Sequence, residues 1–199
     1  MSPGRQVDEE AQRVRLLEGL AESIREKGLA QTQLDDIVRH ARASKRTFYK
    51  HFPDKDACFV ELARRLSDTV LEQVRDAIDL DAEWTDQVDQ AIDVYLGVLA
   101  ADPAMTLTFA SPSLGPSIVR AQREGGERYA ELMVEVLDSD AMRQAGVPQM
   151  SIERAFLLVS GLHHTVVRAV ERGDDVMALA PEFKAVFRAA IASGRVGTY

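Results

Sequence analysis

Length, composition and charge place the chain among ordinary globular proteins. It has 199 residues, of which 46% are hydrophobic and 28% charged, and its formal net charge is −8. These values exclude disordered polyelectrolytes and fibrous or collagen-like chains, and a chain of this length can bury about 70% of its unfolded surface. The single cysteine, Cys58, excludes an internal disulfide, and no Cys/His cluster has zinc-ligand spacing. We therefore expect a reducing compartment and no metal site.

The N-terminal residues and the apolar stretches indicate where the protein is located. Residues 1–10 contain no apolar run of signal-peptide length. The longest unbroken apolar stretch, near residues 155–159, is far shorter than the roughly 18 residues that span a bilayer. We expect a cytoplasmic protein that has no membrane partner.

Apolar residues repeat mostly at helical spacing, and no strand or hairpin pattern recurs. We therefore predict an all-α protein. The first helix is predicted over residues 8–27, with Val14, Leu17 and Ile24 on one face and Gly28 as its C-terminal cap. Further along the chain, helices are predicted over residues 54–78, 83–101, 103–109, 117–138, 151–172 and 181–192.

Two short helices separated by a turn are predicted after the first helix. Thr32 and Asp35 have capping-box spacing, which predicts a helix over residues 33–41. Ser44 is the N-cap candidate of the next helix, residues 45–51, because its hydroxyl can accept a hydrogen bond from the first turn. The two helices and the turn form one short unit.

Positive charge is concentrated in one part of this acidic chain. Residues 1–56 contain 11 basic and 10 acidic side chains, whereas residues 57–199 contain 13 and 22. The basic residues cluster between Arg39 and Lys55. Because contact with phosphate depends on the local field within a Debye length of about 8–10 Å, an acidic protein with such a patch can still bind nucleic acid. The alternative is an ordinary solvated charged surface.

The third predicted helix is amphipathic in a way that suits DNA. At about 100° per residue, Phe48 and Phe52 fall on one side, and polar or cationic residues fall within an arc of about 140° on the other. The two rings can pack on Ile37 and Ala41 of the preceding helix. This arrangement is typical of a helix-turn-helix, whose second helix enters the major groove of DNA. The outward-facing residues are Lys45, Arg46, Tyr49 and Lys50.

The side chains around this helix differ in the DNA contacts that they can make. Lys45 and Arg46 can donate to O6 and N7 of guanine. Ser44 and Thr47 can add hydroxyl groups to backbone N–H groups that point at a phosphate. Phosphate or sugar contacts are expected of Tyr49, His51 and Lys55. The alternatives are a half-buried ring at position 49 and a neutral helix-end residue at position 51.

The segment from Thr32 to Cys58 resembles the tetracycline-repressor-like (TetR) family of bacterial transcription regulators; it reads TQLDDIVRHARASKRTFYKHFPDKDAC. Its core, FYKHFPDKDA, is similar to the family's signature at the end of the recognition helix, and LLEGLAESIREKG is similar to its first helix. The resemblance implies a three-helix helix-turn-helix DNA-binding domain over residues 1–54. It also implies a C-terminal helical ligand-binding and dimerisation domain over residues 55–199.

The resemblance also implies roles for single residues. The DNA backbone would be held by Gln33, Thr47, Tyr49, His51 and Lys55. The bases of double-stranded operator DNA would be faced by Ser44, Lys45 and Arg46. Arg42 stands where the family usually has glycine, which would strain the turn by about 1 kcal/mol if φ is positive there. Arg42 also extends the cationic edge, so we expect it to contact phosphate.

A homodimer is expected because one short helix reads only a few base pairs. Two-fold pairing doubles the site and sets the half-site spacing near one helical turn. The last two long helices are apolar on more than one side, which indicates burial beyond the protomer's own core. The expected interface, which the resemblance describes as a four-helix contact, consists of Phe156, Val159, Val166, Val170, Phe183 and Phe187.

The remaining helices are expected to enclose a pocket for an unknown small-molecule effector. Aromatic and soft side chains with a few polar groups suit such a site. The candidate lining residues are Tyr95, Met105, Phe109, Tyr129, Met133 and His163. The alternative for each of them is plain core packing.

We expect a repressor that a ligand releases from DNA. A ligand in the C-terminal body would favour a tilt of the helix over residues 54–78 and move the two recognition helices out of register with the major grooves. The sequence contains no GxSxG, HExxH or phosphate-binding glycine-rich motif, so we expect neither catalysis nor a cofactor. Two alternatives stay open: an all-α carrier or enzyme with a structural N-terminal domain, and a nonspecific architectural DNA-binding protein.

Overall fold

The computed structural model describes residues 3–110 and 115–194, and this part consists of helices joined by turns and short loops, with no strand. This confirms the all-α prediction. The helices are α1 (Pro3–Lys27), α2 (Leu34–His40), α3 (Lys45–His51), α4 (Lys55–Ala77), α5 (Trp84–Ala101), α6 (Pro103–Phe109), α7 (Pro116–Leu137), α8 (Asp140–Gln144), α9 (Ile152–Arg172) and α10 (Ala180–Ala192). A short 3-10 helix covers Val176–Leu179.

The predicted helices agree with the observed ones to within a few residues at most ends. Helix α1 begins earlier than predicted, at Pro3. Neither α8 nor the 3-10 helix is predicted from the sequence, because each is too short to show a periodic apolar pattern. In the described part of the chain, no single helix has the length and apolar composition to cross a membrane, although α5 and α6, bent by 97°, meet those criteria as a pair.

Two of the predicted helix caps are confirmed. The Ser44 hydroxyl oxygen accepts the backbone N–H of Thr47 at 3.0 Å and so begins α3. Gly28 follows the last residue of α1 with φ of +77°, a backbone conformation that glycine adopts without strain. The turn that precedes α3 and the end of α1 are therefore determined by local sequence.

The predicted capping pair of Thr32 and Asp35 is wrong by one residue. The N-cap of α2 is Gln33, whose N–H donates to the carboxylate of Asp36 at 2.8 Å. Thr32 is fully buried instead, and its hydroxyl donates to the carbonyl oxygen of Gly28 at 2.8 Å. The hydroxyl that the sequence assigns to the cap thus closes the turn between α1 and α2.

The chain divides into two compact units. One consists of Met1–Leu66 with Leu107–Gln122, and the other of Ser67–Thr106 with Arg123–Tyr199. This division falls within α4, α6 and α7, whereas the sequence places the boundary between functional domains at residues 54 and 55. The functional boundary stays a prediction.

The first unit has its core among α1, α2 and α3. Leu16, Leu20, Ile37 and Phe48 are fully buried there. Helix α1 comes so close to α2 at Gly19 that a Cβ at this position would lie 2.6 Å from the carbonyl oxygen of Ile37. Only glycine allows this distance, and the close approach gives α3 a rigid base.

The second unit has a core that α5, α9 and α10 share. Its fully or nearly fully buried members include Ile92, Leu96, Leu162, Val166 and Phe187. Ion pairs also link α5 to α10: the ammonium of Lys184 lies 2.7 Å from the Asp93 carboxylate, and Arg188 contacts Asp89. The shared core and the ion pairs together hold α5, α9 and α10, three of the helices that line a cavity.

Candidate functional site

The outward side of α3 presents a polar and cationic surface, here named the α3 outer face. It consists of Ser44, Lys45, Arg46, Tyr49 and Lys50, all of them exposed. The opposite side is apolar, with Phe48 and Phe52 buried and their ring centroids 5.7 Å apart. The Tyr49 ring is 60% exposed, which excludes the half-buried alternative. The amphipathic pattern therefore orients α3 as the sequence predicts.

The cations of this region differ in how they are paired. Lys45 lies 2.6 Å from the Asp35 carboxylate, whose hydrogen bond raises the pKa of Lys45, and Lys50 lies 2.8 Å from Glu9. Such exposed pairs are weak because water screens them, so phosphate can replace the carboxylates. Arg46 forms no salt bridge with any residue that the structure describes. Among the cations of the α3 outer face, its guanidinium is the one that no described carboxylate holds.

The turn before α3 contains a strained residue. Arg42 has φ of +49°, the one positive φ at a non-glycine residue in the described chain. From the sequence, about 1 kcal/mol of backbone strain is predicted for a positive φ at this residue, and the observed φ is positive. The side chain is exposed and lies next to the α3 outer face in the chain, as a phosphate contact requires.

The other predicted DNA contacts lie at the margins of the α3 outer face. Gln33 is exposed at the start of α2, and the hydroxyls of Thr47 and Ser44 are hydrogen-bonded to each other at 2.9 Å. Nε2 of His51 lies 3.4 Å from the side-chain oxygen of Gln12. Burial lowers the pKa of His51, which favours the neutral imidazole at neutral pH. His51 thus fits the alternative of a neutral helix-end residue.

Lys55 has structural partners that sequence reasoning missed. Its ammonium donates to the carbonyl oxygens of Leu29 and Thr32, at 3.0 and 2.9 Å. These carbonyls belong to the turn between α1 and α2, so Lys55 ties that turn to the start of α4. A spacing pattern shows a lysine near a basic patch, but it does not show that carbonyl groups surround its ammonium.

We expect Lys55→Met to destabilise the fold, because it removes two charge-assisted hydrogen bonds to partly buried carbonyl groups. The expected loss of unfolding free energy is about 1.5–3 kcal/mol, measured by urea denaturation. Lys50→Met is the matched control, since its exposed ion pair with Glu9 is worth about 1 kcal/mol at most. Equal stability of the two variants would contradict the role given to Lys55.

The second unit contains a cavity of about 120 Å³ that α4, α5 and α7 to α10 line. Three of the predicted pocket residues, Tyr95, Tyr129 and Met133, are among those that line it. The two tyrosine rings meet edge to face with centroids 5.5 Å apart. His163 is connected to them through a hydrogen bond of 3.1 Å between its Nδ1 and the Tyr95 hydroxyl.

The remaining pocket predictions need correction. Met105 is buried but does not line the cavity, and Phe109 stacks on Phe59 in the first unit with centroids 5.2 Å apart. Sequence reasoning missed Gln87, which lines the cavity and is 4% exposed. The sequence does contain a pattern that indicates burial of this residue: Gln87 lies on the apolar side of its helix, one turn from Trp84 and Ala91.

Part of the predicted dimer interface is also corrected. Val166 and Phe187 are 0% and 8% exposed and belong to the protomer's core, so they offer a partner almost no surface. The other predicted interface residues, Phe156, Val159, Val170 and Phe183, are half-buried. The exposed large apolar side chains of α9 and α10 are Leu157, Ile152 and Val186. Helical spacing alone does not separate a face that packs inward from one that stays exposed.

Sequence comparison finds a known family that is similar to the N-terminal helices. Residues 16–62 match the family model described as bacterial regulatory proteins, tetR family. The uncharacterized HTH-type transcriptional regulator YvdT of Bacillus subtilis (strain 168) is 32% identical over 79 residues. That match covers 40% of this chain and 41% of the relative, so the chain spans about two fifths of the curated protein that it matches.

Comparison of structures extends over nearly the whole chain. FadR from Bacillus subtilis in complex with stearoyl-CoA has a TM-score of 0.73 at 16% identity, covering 89% of this chain and 98% of that one. Thermus thermophilus FadR, a TetR-family transcriptional repressor in complex with lauroyl-CoA, has a TM-score of 0.68 at 21% identity, covering 94% and 97%. These likenesses establish a shared fold. Within that fold, residues 16–62 are similar to the bacterial regulatory proteins of the tetR family.

Proposed function

We propose that this protein is a transcription regulator of the TetR type, that it represses transcription by binding a palindromic operator as a homodimer, and that a small molecule releases it. The observation that supports the proposal most is the α3 outer face. A short helix with an exposed cationic side, held from below by the buried rings of Phe48 and Phe52, has the dimensions and charge that suit the major groove.

The proposed DNA contacts follow from exposure and pairing. Arg46 donates to O6 and N7 of guanine, the commonest specific contact in the major groove. Lys45 and Lys50 exchange their carboxylate partners for phosphates, and Arg42 adds a further phosphate contact at the turn. Phosphate contacts set the position of α3, and Arg46 supplies the sequence preference.

Dimerisation is proposed through the exposed sides of α9 and α10. Leu157 is 71% exposed, and Ile152 and Val186 are also exposed large apolar residues. A two-fold interface buries the same patch on both protomers, and half-buried Phe156 and Phe183 lie on the same two helices. Such a dimer presents two copies of α3 to two half-sites.

Ligand release is proposed to act through α4. This helix starts just after α3 in the chain; Val74 in its last turn and Ile78 just after its end line the cavity. A ligand that prefers one tilt of α4 shifts the population away from the DNA-binding arrangement. A coupling of about 1–3 kcal/mol corresponds to release by about 5- to 150-fold. The two FadR proteins, whose structures contain stearoyl-CoA and lauroyl-CoA, support the proposal that a protein of this fold binds a ligand.

The experiment that tests the proposal is selection of bound duplexes from a random library with the full-length protein. We expect an enriched site with two-fold symmetry, half-sites about one helical turn apart and a preference of at least about 10³-fold over random duplex. Retention of DNA without sequence preference would favour the architectural alternative. No retention of any duplex would favour the carrier or enzyme alternative.

A further inference from the structure

The cavity of the second unit has a chemistry that restricts its ligand. Among the described residues that line it, none is charged, and the lining is aliphatic or aromatic apart from Gln87 and the hydroxyls of Tyr95 and Tyr129. An ion that entered this space would lose its hydration and find no opposite charge. The cavity therefore selects against carboxylates, phosphates and ammonium groups.

Gln87 contributes an acceptor that lacks a partner. Its side-chain N–H group donates to the carbonyl oxygens of Leu80 and Ala82, at 3.4 and 2.9 Å. These two acceptors fix the orientation of the amide, because a flipped amide would bring its oxygen against two other oxygens. In the described part of the chain, Oε1 of Gln87 is buried and accepts no hydrogen bond. Buried polar atoms are normally paired, so this one needs an explanation.

The other two polar groups of the lining are already occupied. The Tyr129 hydroxyl donates to the carbonyl oxygen of Ser67 at 3.2 Å. The Tyr95 hydroxyl is hydrogen-bonded to Nδ1 of His163 at 3.1 Å. Oε1 of Gln87 is therefore the polar atom of the described lining that no protein group satisfies, and a ligand that pairs with it must bring a donor.

Volume limits the size of that ligand. Apolar cavities of about 150 Å³ accept one benzene molecule. The cavity here, of about 120 Å³, has room for a single ring or an equally compact apolar group. The edge-to-face pair of Tyr95 and Tyr129 provides an aromatic wall that suits a ring.

We propose that the cavity binds a neutral, ring-sized apolar molecule with one hydroxyl group, whose hydrogen is donated to Oε1 of Gln87. Phenol is the simplest member of this class. The inference deepens the proposed function, because it names the class of molecule that occupies the effector site, and it rests on that proposal only in calling this molecule the effector.

The test compares three probes of nearly equal size on the full-length protein without DNA, by isothermal titration calorimetry. Phenol supplies the donor, toluene replaces the hydroxyl with a methyl group, and benzoate carries a negative charge. We expect phenol to bind about tenfold more tightly than toluene and benzoate not to bind. Equal binding of phenol and toluene, tighter binding of benzoate, or no binding of phenol would each overturn the proposal.

A pair of variants assigns the effect to Gln87. Gln87→Met keeps the length of the side chain but removes the acceptor, so the ratio of phenol to toluene affinity should fall to about twofold or less. Gln90→Met is the matched control: Gln90 holds the same loop by accepting the Asp79 N–H at 2.8 Å, but it does not line the cavity. It should keep the wild-type ratio. An unchanged ratio in Gln87→Met would contradict the assignment.

The same probes separate the ligand class from the proposed function. Calorimetry without DNA tests the cavity alone. Addition of phenol to the complex with a selected duplex tests release. Phenol that binds the cavity and leaves DNA affinity unchanged would contradict the proposed regulation and would leave the ligand class confirmed.

Discussion

Gly19→Ala is expected to destabilise the protein by about 3 kcal/mol or more, although alanine is normally the better helix former. A Cβ at this position would lie 2.6 Å from the carbonyl oxygen of Ile37 and 2.9 Å from the backbone nitrogen of Ala41. Both are backbone atoms of a turn that is itself hydrogen-bonded, since the Ala41 N–H donates to that carbonyl at 2.9 Å. Neither atom can move aside as a flexible side chain would.

The expected loss of stability arises from the movement of helices that would be needed to relieve the contact. Helices α1 and α2 have to separate, which loosens fully buried Leu16, Leu20 and Ile37. Because α3 packs on the same core through Phe48, we expect the variant also to lose DNA binding. Guanidinium denaturation followed by helical circular dichroism measures the change in stability.

Gly97→Ala is the matched control for this prediction. Gly97 lies inside α5, and apart from the backbone of its own helix no atom of the described residues lies within 4 Å of the position where its Cβ would be. Replacement should therefore stabilise the protein by up to about 1 kcal/mol, as expected for an unobstructed helix position. Equal stability of the two alanine variants would contradict the prediction that the close approach of α1 and α2 makes Gly19→Ala destabilising.

Arg46→Ala is expected to cost about 1–3 kcal/mol of binding free energy on the selected operator and to relax the preference at one base position. Arg46 is exposed and has no described carboxylate partner, so its loss is not offset by release of an ion pair. Binding to random duplex should change much less, because several phosphate contacts remain. Titration of both duplexes at one fixed salt concentration measures the difference.

Arg46→Lys tests whether the contact is to a base or to a phosphate. Lysine keeps the charge but lacks the planar fork that binds guanine in two places. We expect this variant to bind random duplex as the wild type does and to lose part of its preference for the operator. Equal weakening on all sequences in Arg46→Ala, together with wild-type behaviour of Arg46→Lys, would indicate a phosphate contact instead.

The helix-turn-helix could be predicted well because its signals are local. Ser44 begins α3, Phe48 and Phe52 give it an apolar side, and each effect acts within one or two turns of the chain. The displaced cap at Gln33 shows the limit of such signals. Two adjacent polar residues compete for the same role, and the buried turn that contains Thr32 decides between them.

The cavity and the interface were less predictable because both depend on tertiary packing. Val166 and Leu157 lie on the same apolar helix, yet one is fully buried and the other is 71% exposed. Their difference arises from where α5 and α10 lie. Gln87 was not predicted for a related reason. A polar side chain is expected at the surface, and only the structure shows the carbonyl groups that its amide contacts.

In the proposed complex, α3 enters the major groove of the operator. Methylation interference on the selected duplex tests it directly, because dimethyl sulfate modifies guanine N7 in the major groove and adenine N3 in the minor groove. We expect methyl groups on guanine N7 within both half-sites to block binding, and methyl groups on adenine N3 there to leave binding intact. Interference confined to adenine N3 would contradict it.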